Sequence, residues 1–141
     1  MSCTSHDRQE DGWGVADRFD AAGRNAILVV PQIAYRSHVG HAGNFEREGF
    51  ARAVVDEALA QVRDDVSGAS SEGATRVLAV AHSAGFETAF AMSRRSGYGP
   101  KLRRVALMDG LYDVPEFFGR WARDDASRSL VSLHIGGRPE Q

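Results

Sequence analysis

The sequence has one cysteine, no long apolar run and almost no net charge, and each of these absences excludes a class of protein. Cys3 is the only cysteine among 141 residues, so no disulfide forms within the chain. The longest apolar runs, residues 26–30 and 77–81, are strand-sized, well short of the ~18 residues of a membrane-spanning helix. Residues 1–11 are polar and lack the apolar core of a secretory signal. We therefore expect a cytoplasmic protein with no membrane partner.

The charge balance and the motif content exclude two further classes. The 17 Lys and Arg residues against 19 Asp and Glu residues leave a formal net charge of −2, which argues against a nucleic-acid partner. Neither G-x-G-x-x-G nor a phosphate-binding loop is present, so no nucleotide cofactor is expected. His38 and His41 lack a third ligand at matching spacing, so no metal is expected either. One basic group is interpreted as a solvated helix end and loop: Arg94, Arg95, Lys101, Arg103 and Arg104.

Short apolar runs alternate with helical patterns along the chain. The runs predict β-strands at residues 26–30, 77–81, 105–108 and 130–135. The first three runs are apolar on successive residues, which is typical of parallel strands that are covered on both faces. Between the runs, amphipathic repeats predict helices over residues 50–63, 86–95 and 113–121.

The predicted order β-α-β-α-β-α-β defines an α/β fold, with a mostly parallel sheet and helices on both faces. Residues 1–141 form a single domain in this interpretation, with residues 1–23 unassigned. Asp113 is predicted to be the N-cap of the last helix, with Pro115 near its first position. In such folds ligands bind beyond the carboxyl ends of the strands.

The most informative stretch is a strand, a serine between small residues, and a helix, at residues 76–90. Ala81 and Gly85 lie two residues before and two after Ser83, so strand and helix can approach closely while the serine takes a strained backbone. The hydroxyl then stands above the sheet edge, where the N–H of Ala84 could stabilise an oxyanion. The alternative is a small residue that only turns the chain.

Residues 81–85, Ala-His-Ser-Ala-Gly, resemble the nucleophile elbow G-x-S-x-G of the α/β-hydrolase family, with alanine at the first glycine. Val-Pro-Gln at residues 30–32 and Leu-Met-Asp-Gly-Leu-Tyr at 107–112 are similar to segments of a bacterial subgroup of these enzymes. The resemblance covers about residues 26–135. It implies a three-layer sandwich that hydrolyses an ester, amide or related acyl bond of a small-molecule substrate.

The family normally uses more than four strands, and the sequence stops at Gln141, shortly after the last predicted strand. We therefore expect an incomplete hydrolase domain, truncated at the C-terminus. An unpaired strand edge and an uncovered face would favour a homodimer through the sheet edge.

The resemblance also implies roles for individual residues. Ser83 is the nucleophile, the backbone amides of Ala84 and Gln32 hold the oxyanion, and Asp109 orients a histidine. Gln32 has the alternative of capping a strand end, and Asp109 that of a polar turn with Gly110.

Two further residues are candidates for the acid and the base. Asp113 is the less favoured acid because it already serves as a predicted N-cap. His134 is the only histidine after Ser83 and lies inside the last predicted strand, so it is interpreted as packing and the general base is not identified. The rival function is a non-catalytic α/β module or inactive fragment that binds a small molecule or partner chain. A flavodoxin-like cofactor binder is a third, weaker alternative.

Overall fold

The computed structural model describes residues 14–31, 33, 41–65, 74, 76–95, 101–111 and 113–134. Two short 3-10 helices lie within these ranges, at Gly43–Glu46 and Ser83–Gly85. The α-helices are α1 (Val15–Ala21), α2 (Phe50–Asp65), α3 (Phe86–Arg95) and α4 (Pro115–Arg123). The strands are β1 (Val77–His82), β2 (Leu102–Met108) and β3 (Ser129–Leu133). The alternation from β1 to β3 confirms an α/β fold.

The strands form one parallel sheet in the order β1-β2-β3, with Ala79, Val105 and Leu130 in register across it. Each crossover leads to the next strand in the same direction. Because such crossovers are right-handed, α3 and α4 lie on the same face. Helices on both faces of the sheet, as predicted, are therefore not confirmed for the part of the chain that the structure describes.

The covered face of the sheet holds the main core. Leu102, Val105 and Leu107 of β2 and Phe118 of α4 are completely buried. Phe90 of α3 meets Phe117 of α4 edge-on, with ring centroids 4.6 Å apart. These aromatic contacts join α3 and α4 into one layer over the sheet.

Helix α3 is packed on two sides by small residues. Ala89 contacts the sheet core, whereas Ala91 belongs to a second cluster with Ala42, Phe45 and Ala51. Alanine allows close approach on both sides, so the 3-10 helix Gly43–Glu46 packs onto the outside of α3, and α2 in turn packs against that 3-10 helix. The helix predicted over residues 50–63 is confirmed as α2.

The opposite face of the sheet is bare among the described residues. Leu78, Val80 and Met108 are 59%, 67% and 43% exposed, and Val131 and Leu133 share their face by register. These strands were predicted to be covered on both sides because their residues are apolar in succession. A continuous apolar run shows that both faces of a strand carry apolar side chains. It does not show whether another element of the fold covers each face.

The strand predicted at residues 26–30 is wrong. This run is irregular and its side chains are exposed, with Val30 at 70%. A strand forms where a neighbour satisfies its backbone N–H and C=O groups, and none of the described residues pairs with the outer edge of β1. Helix α1, within the unassigned residues 1–23, buries no side chain.

Strand β2 begins at Leu102, three residues earlier than predicted, and contains a bulge near its start. Val77 pairs with Leu102 and Leu78 with Arg104, so Arg103 is an extra residue. The bulge lets Leu102 and Val105, three positions apart, both face the helix layer. The two arginines hid this strand start from a search for apolar runs.

Candidate active site

Ser83 lies in a tight turn between β1 and α3. The strand ends at His82 with extended backbone, the turn occupies Ser83–Gly85, and α3 begins at Phe86. Ser83 itself has a φ of 50°, in the left-handed region that non-glycine residues rarely adopt. This is the strained strand-to-helix turn that the sequence predicts for a nucleophile. The serine is half-buried.

The small residues around Ser83 are in contact. A Cβ placed on Gly85 would lie 3.5 Å from the Cβ of Ala81, an ordinary van der Waals contact. Strand and helix therefore approach as closely as the pattern of small residues predicts. Alanine at position 81, where the family has glycine, is accommodated.

Gly110 is a residue of this site that the sequence reasoning missed. It is buried, and a Cβ on it would lie 3.0 Å from the backbone oxygen of Ser83 and 3.5 Å from its nitrogen. The loop after β2 thus packs directly against the backbone of the turn. The signal was available in the Asp-Gly pair that follows the strand, which was considered only as a polar turn.

Asp109 is held beside this turn by its own backbone. It has a φ of 47°, and its N–H donates to the carbonyl oxygen of Leu133 at 2.6 Å. The side chain is half-buried at the end of the central strand. Aspartate tolerates this left-handed conformation better than most residues, and the loop can then turn toward Gly110.

The carboxyl ends of the three strands are level. His82, Met108 and Leu133 are in register, so Ser83, Asp109 and His134 each come directly after a paired residue. Neighbouring strands lie about 4.8 Å apart, so Asp109 is one strand from each of the other two. The sheet therefore brings a serine, an aspartate and a histidine to one edge.

The prediction that His134 lies inside the last strand is wrong. Strand β3 ends at Leu133, and His134 is exposed beyond it. Its Nε2 lies 3.1 Å from the hydroxyl oxygen of Ser132. The imidazole therefore lies back along the strand and is not packed in the core. The pattern of apolar residues had extended the strand by two positions, through Ile135.

Asp113 is not the N-cap of α4, contrary to the prediction. Val114 occupies that position with a φ of 51°, and Pro115 is the first helical residue. The carboxylate of Asp113 accepts a hydrogen bond from the adjacent N–H of Val114 at 2.9 Å, so it does not reach the free N–H groups of the first turn. Asp113 is exposed.

The two proposed oxyanion donors differ in what the structure says of them. Ala84 is exposed in the first positions of the turn, where backbone N–H groups lack acceptors within the helix. Gln32 lies outside the described residues.

Within the described ranges, no group of three or more His, Cys, Asp or Glu side chains could hold a metal ion. No described helix combines the length and the apolar character that crossing a bilayer requires.

Comparison with known proteins adds no family to this geometry. No family model, no curated protein and no solved structure matches the chain. The α/β fold and the strained turn at Ser83 therefore rest on the structure of this chain alone. The resemblance to α/β-hydrolases stays a prediction from residues 81–85.

Proposed function

We propose that the chain is part of an α/β-hydrolase-like serine hydrolase that cleaves an ester, amide or related acyl bond. The observation that carries the proposal is the left-handed backbone of Ser83, with a φ of 50°, between a parallel strand and a helix. Strain of this kind costs of order 1–3 kcal/mol and is found mostly at functional sites. If residue 83 served only to turn the chain, glycine would adopt the same backbone conformation without this energetic cost.

In this proposal the Ser83 hydroxyl attacks the acyl carbon while its proton passes to a histidine. The bond to the leaving group then breaks, the leaving group takes that proton from the histidine, and an acyl-serine remains. The N–H of Ala84 stabilises the negative oxygen of the tetrahedral intermediate. Water then attacks the acyl-serine and releases the acid. Asp109 orients the histidine and stabilises its charged form.

His134 is the histidine that best suits the general base among the described residues. It shares the edge with Ser83 and Asp109, and its exposed side chain is free of core packing. The 3.1 Å contact with Ser132 directs the ring along β3, so rotation about the side-chain bonds has to turn it toward the central strand. His82 adjoins the serine but its side chain leaves the sheet on the bare face, in register with Met108.

A fluorophosphonate probe tests this proposal, because it reacts with activated serines and not with ordinary ones. We expect the folded protein to be labelled, and Ser83→Ala to abolish labelling. Ser93→Ala is the matched control, since Ser93 lies on α3 and its hydroxyl is occupied by the carbonyl oxygen of Ala89 at 2.7 Å. Labelling of this variant should equal that of the parent.

His134→Gln should slow labelling about 100-fold or more, as expected for the loss of a general base. His41→Gln, at an exposed position outside the three strands and the residues that follow them, should leave the rate unchanged. A folded protein that resists the probe would overturn the proposal and favour the rival function, a non-catalytic module that binds a ligand at this edge.

A further inference from the structure

A second candidate site lies at the opposite end of the sheet, around the amino ends of the strands. A cavity of about 450 Å³ lies there, within the ~300–1,000 Å³ of small-molecule sites. It is lined by Arg76, Leu78, Arg103, Arg104, Ser127 and Ser129. Three guanidinium groups and two hydroxyls, all hydrogen-bond donors, therefore surround one space.

The bulge in β2 creates this concentration of arginines. Consecutive residues of a regular strand point to opposite faces of a sheet, so Arg103 and Arg104 would be separated. The extra residue at Arg103 breaks that alternation, and both side chains line the cavity. Bulges often redirect side chains next to functional sites.

Among the described residues, the positive charges at this end of the sheet exceed the negative ones. Asp125 lies 3.4 Å from Arg103 and 3.7 Å from Arg128, so its single negative charge is shared by two arginines. Within the described part of the chain no carboxylate pairs with Arg76 or Arg104. The Nε of Arg104 donates to the hydroxyl of Ser129 at 2.9 Å, which fixes the guanidinium over the cavity while its other nitrogens stay available.

We propose that this cavity binds a phosphate monoester, with Arg76 and Arg104 holding the phosphate and Leu78 contacting the organic group. The donors come from the residue before β1, from β2, and from the start of β3 with the segment before it, so several separate elements supply them. A tetrahedral phosphate presents its oxygens in several directions, whereas the two oxygens of a carboxylate lie in one plane. The charge of −1.5 to −2 on a phosphate monoester near pH 7 matches the two arginines that no described carboxylate pairs with.

The organic group has an apolar surface beside the arginines. Leu78 is 59% exposed and leads to Val80 on the bare face of the sheet. We therefore expect an aromatic or alkyl phosphate to bind more tightly than inorganic phosphate. This site is independent of Ser83, which lies at the other end of β1.

Isothermal titration calorimetry with phenyl phosphate and with inorganic phosphate tests the proposal. We expect Arg104→Gln and Arg76→Gln each to weaken phenyl phosphate binding by about tenfold or more, since a hydrogen bond to a charged group is worth ~1.5–3 kcal/mol. Arg47→Gln removes the same charge at an exposed position away from the cavity and should change the affinity by less than a factor of two. Arg76 makes no side-chain hydrogen bond or ion pair within the described residues, so its variant serves if Arg104→Gln fails to fold.

Leu78→Ser should remove the advantage of phenyl phosphate over inorganic phosphate. Vesicles of phosphatidylcholine with and without phosphatidic acid separate two sources of the same chemistry. Binding only to free phenyl phosphate identifies a soluble ligand, and binding to vesicles that contain phosphatidic acid identifies a lipid headgroup. Absence of phenyl phosphate binding at millimolar concentration, or equal weakening by Arg47→Gln, would overturn the proposal.

Discussion

The two ends of the sheet differ in how they are built. At the carboxyl end, Ser83 and Asp109 are held in left-handed backbone conformations, and small residues keep the loops in contact. At the amino end, a bulge gathers arginines around a cavity, and backbone strain is absent from the described residues there. Close packing characterises the carboxyl end of the sheet, and positive charge characterises the amino end. A single added methyl group should therefore disturb the first, whereas charge and salt should govern the second.

The helix layer supports both ends, so the largest effect comes from breaking it. Phe118 is completely buried beneath α4. We expect Phe118→Ala to lower the free energy of unfolding by about 3–5 kcal/mol, and to impair both the labelling of Ser83 and the binding of phenyl phosphate. Urea denaturation followed by circular dichroism measures the loss.

Val80→Ala is the matched control for that substitution, because Val80 lies on the bare face and is 67% exposed. It should change the free energy of unfolding by no more than about 0.5 kcal/mol. An effect as large as that of Phe118→Ala would mean that this face is covered, and the contrast between the two faces would be wrong.

Gly110→Ala should break the carboxyl end alone. The new Cβ would lie 3.0 Å from the backbone oxygen of Ser83, which cannot move without moving the turn. We expect a loss of about 1–3 kcal/mol in stability and slower fluorophosphonate labelling, with phenyl phosphate binding unchanged. Labelling rates and calorimetry on the same preparation check both halves of this result.

Gly119→Ala separates the effect of the collision from that of an added methyl group. Gly119 lies inside α4, and its Cβ would meet the mobile end of Arg123 at 3.3 Å. Because alanine is the better helix former, this variant should gain up to about 1 kcal/mol. A similar gain in Gly110→Ala would contradict the close packing of the loop on the turn.

The smallest effect is expected at Asp125, beside the amino-end cavity. The hydroxyl and the N–H of Ser127 hold the pKa of Asp125 below its ordinary value of 3.8, and Arg103 and Arg128 add to this. The folded protein thus favours the ionised carboxylate, which stabilises it above about pH 3.8 and ceases to do so as the pH falls through the lowered pKa.

Asp125→Asn should therefore be slightly less stable than the parent at pH 7, and the difference should shrink as the pH falls below about 3.8. Urea denaturation over a series of pH values measures it. Asp124→Asn, at an exposed position next in sequence, should stay within about 0.5 kcal/mol of the parent. A difference for Asp125→Asn that grows on acidification would show the opposite linkage.

Local sequence patterns were sufficient to predict the elements that depend on interactions between residues close together in the sequence. The helical repeat predicted α2, and the small residues around Ser83 predicted the turn, because both depend on neighbours within a few positions. The strand predicted at residues 26–30 failed since pairing requires a partner that an apolar run does not specify.

Long-range arrangement was beyond the same reasoning. The level ends of β1, β2 and β3, which bring Asp109 and His134 to the edge of Ser83, follow from register between strands. The bulge at Arg103 likewise exists only between two strands, so the arginines looked like a solvated loop in the sequence. Gly110 could have been found, because Asp-Gly after a strand indicates a tight turn.

The most direct test of the account locates the fluorophosphonate adduct by tandem mass spectrometry. Trypsin should release residues 77–94 as one peptide, which contains both Ser83 and Ser93 and so carries its own internal control. The account predicts a single phosphonyl group on Ser83. An adduct on Ser93, or a folded protein whose peptide carries none, would contradict it.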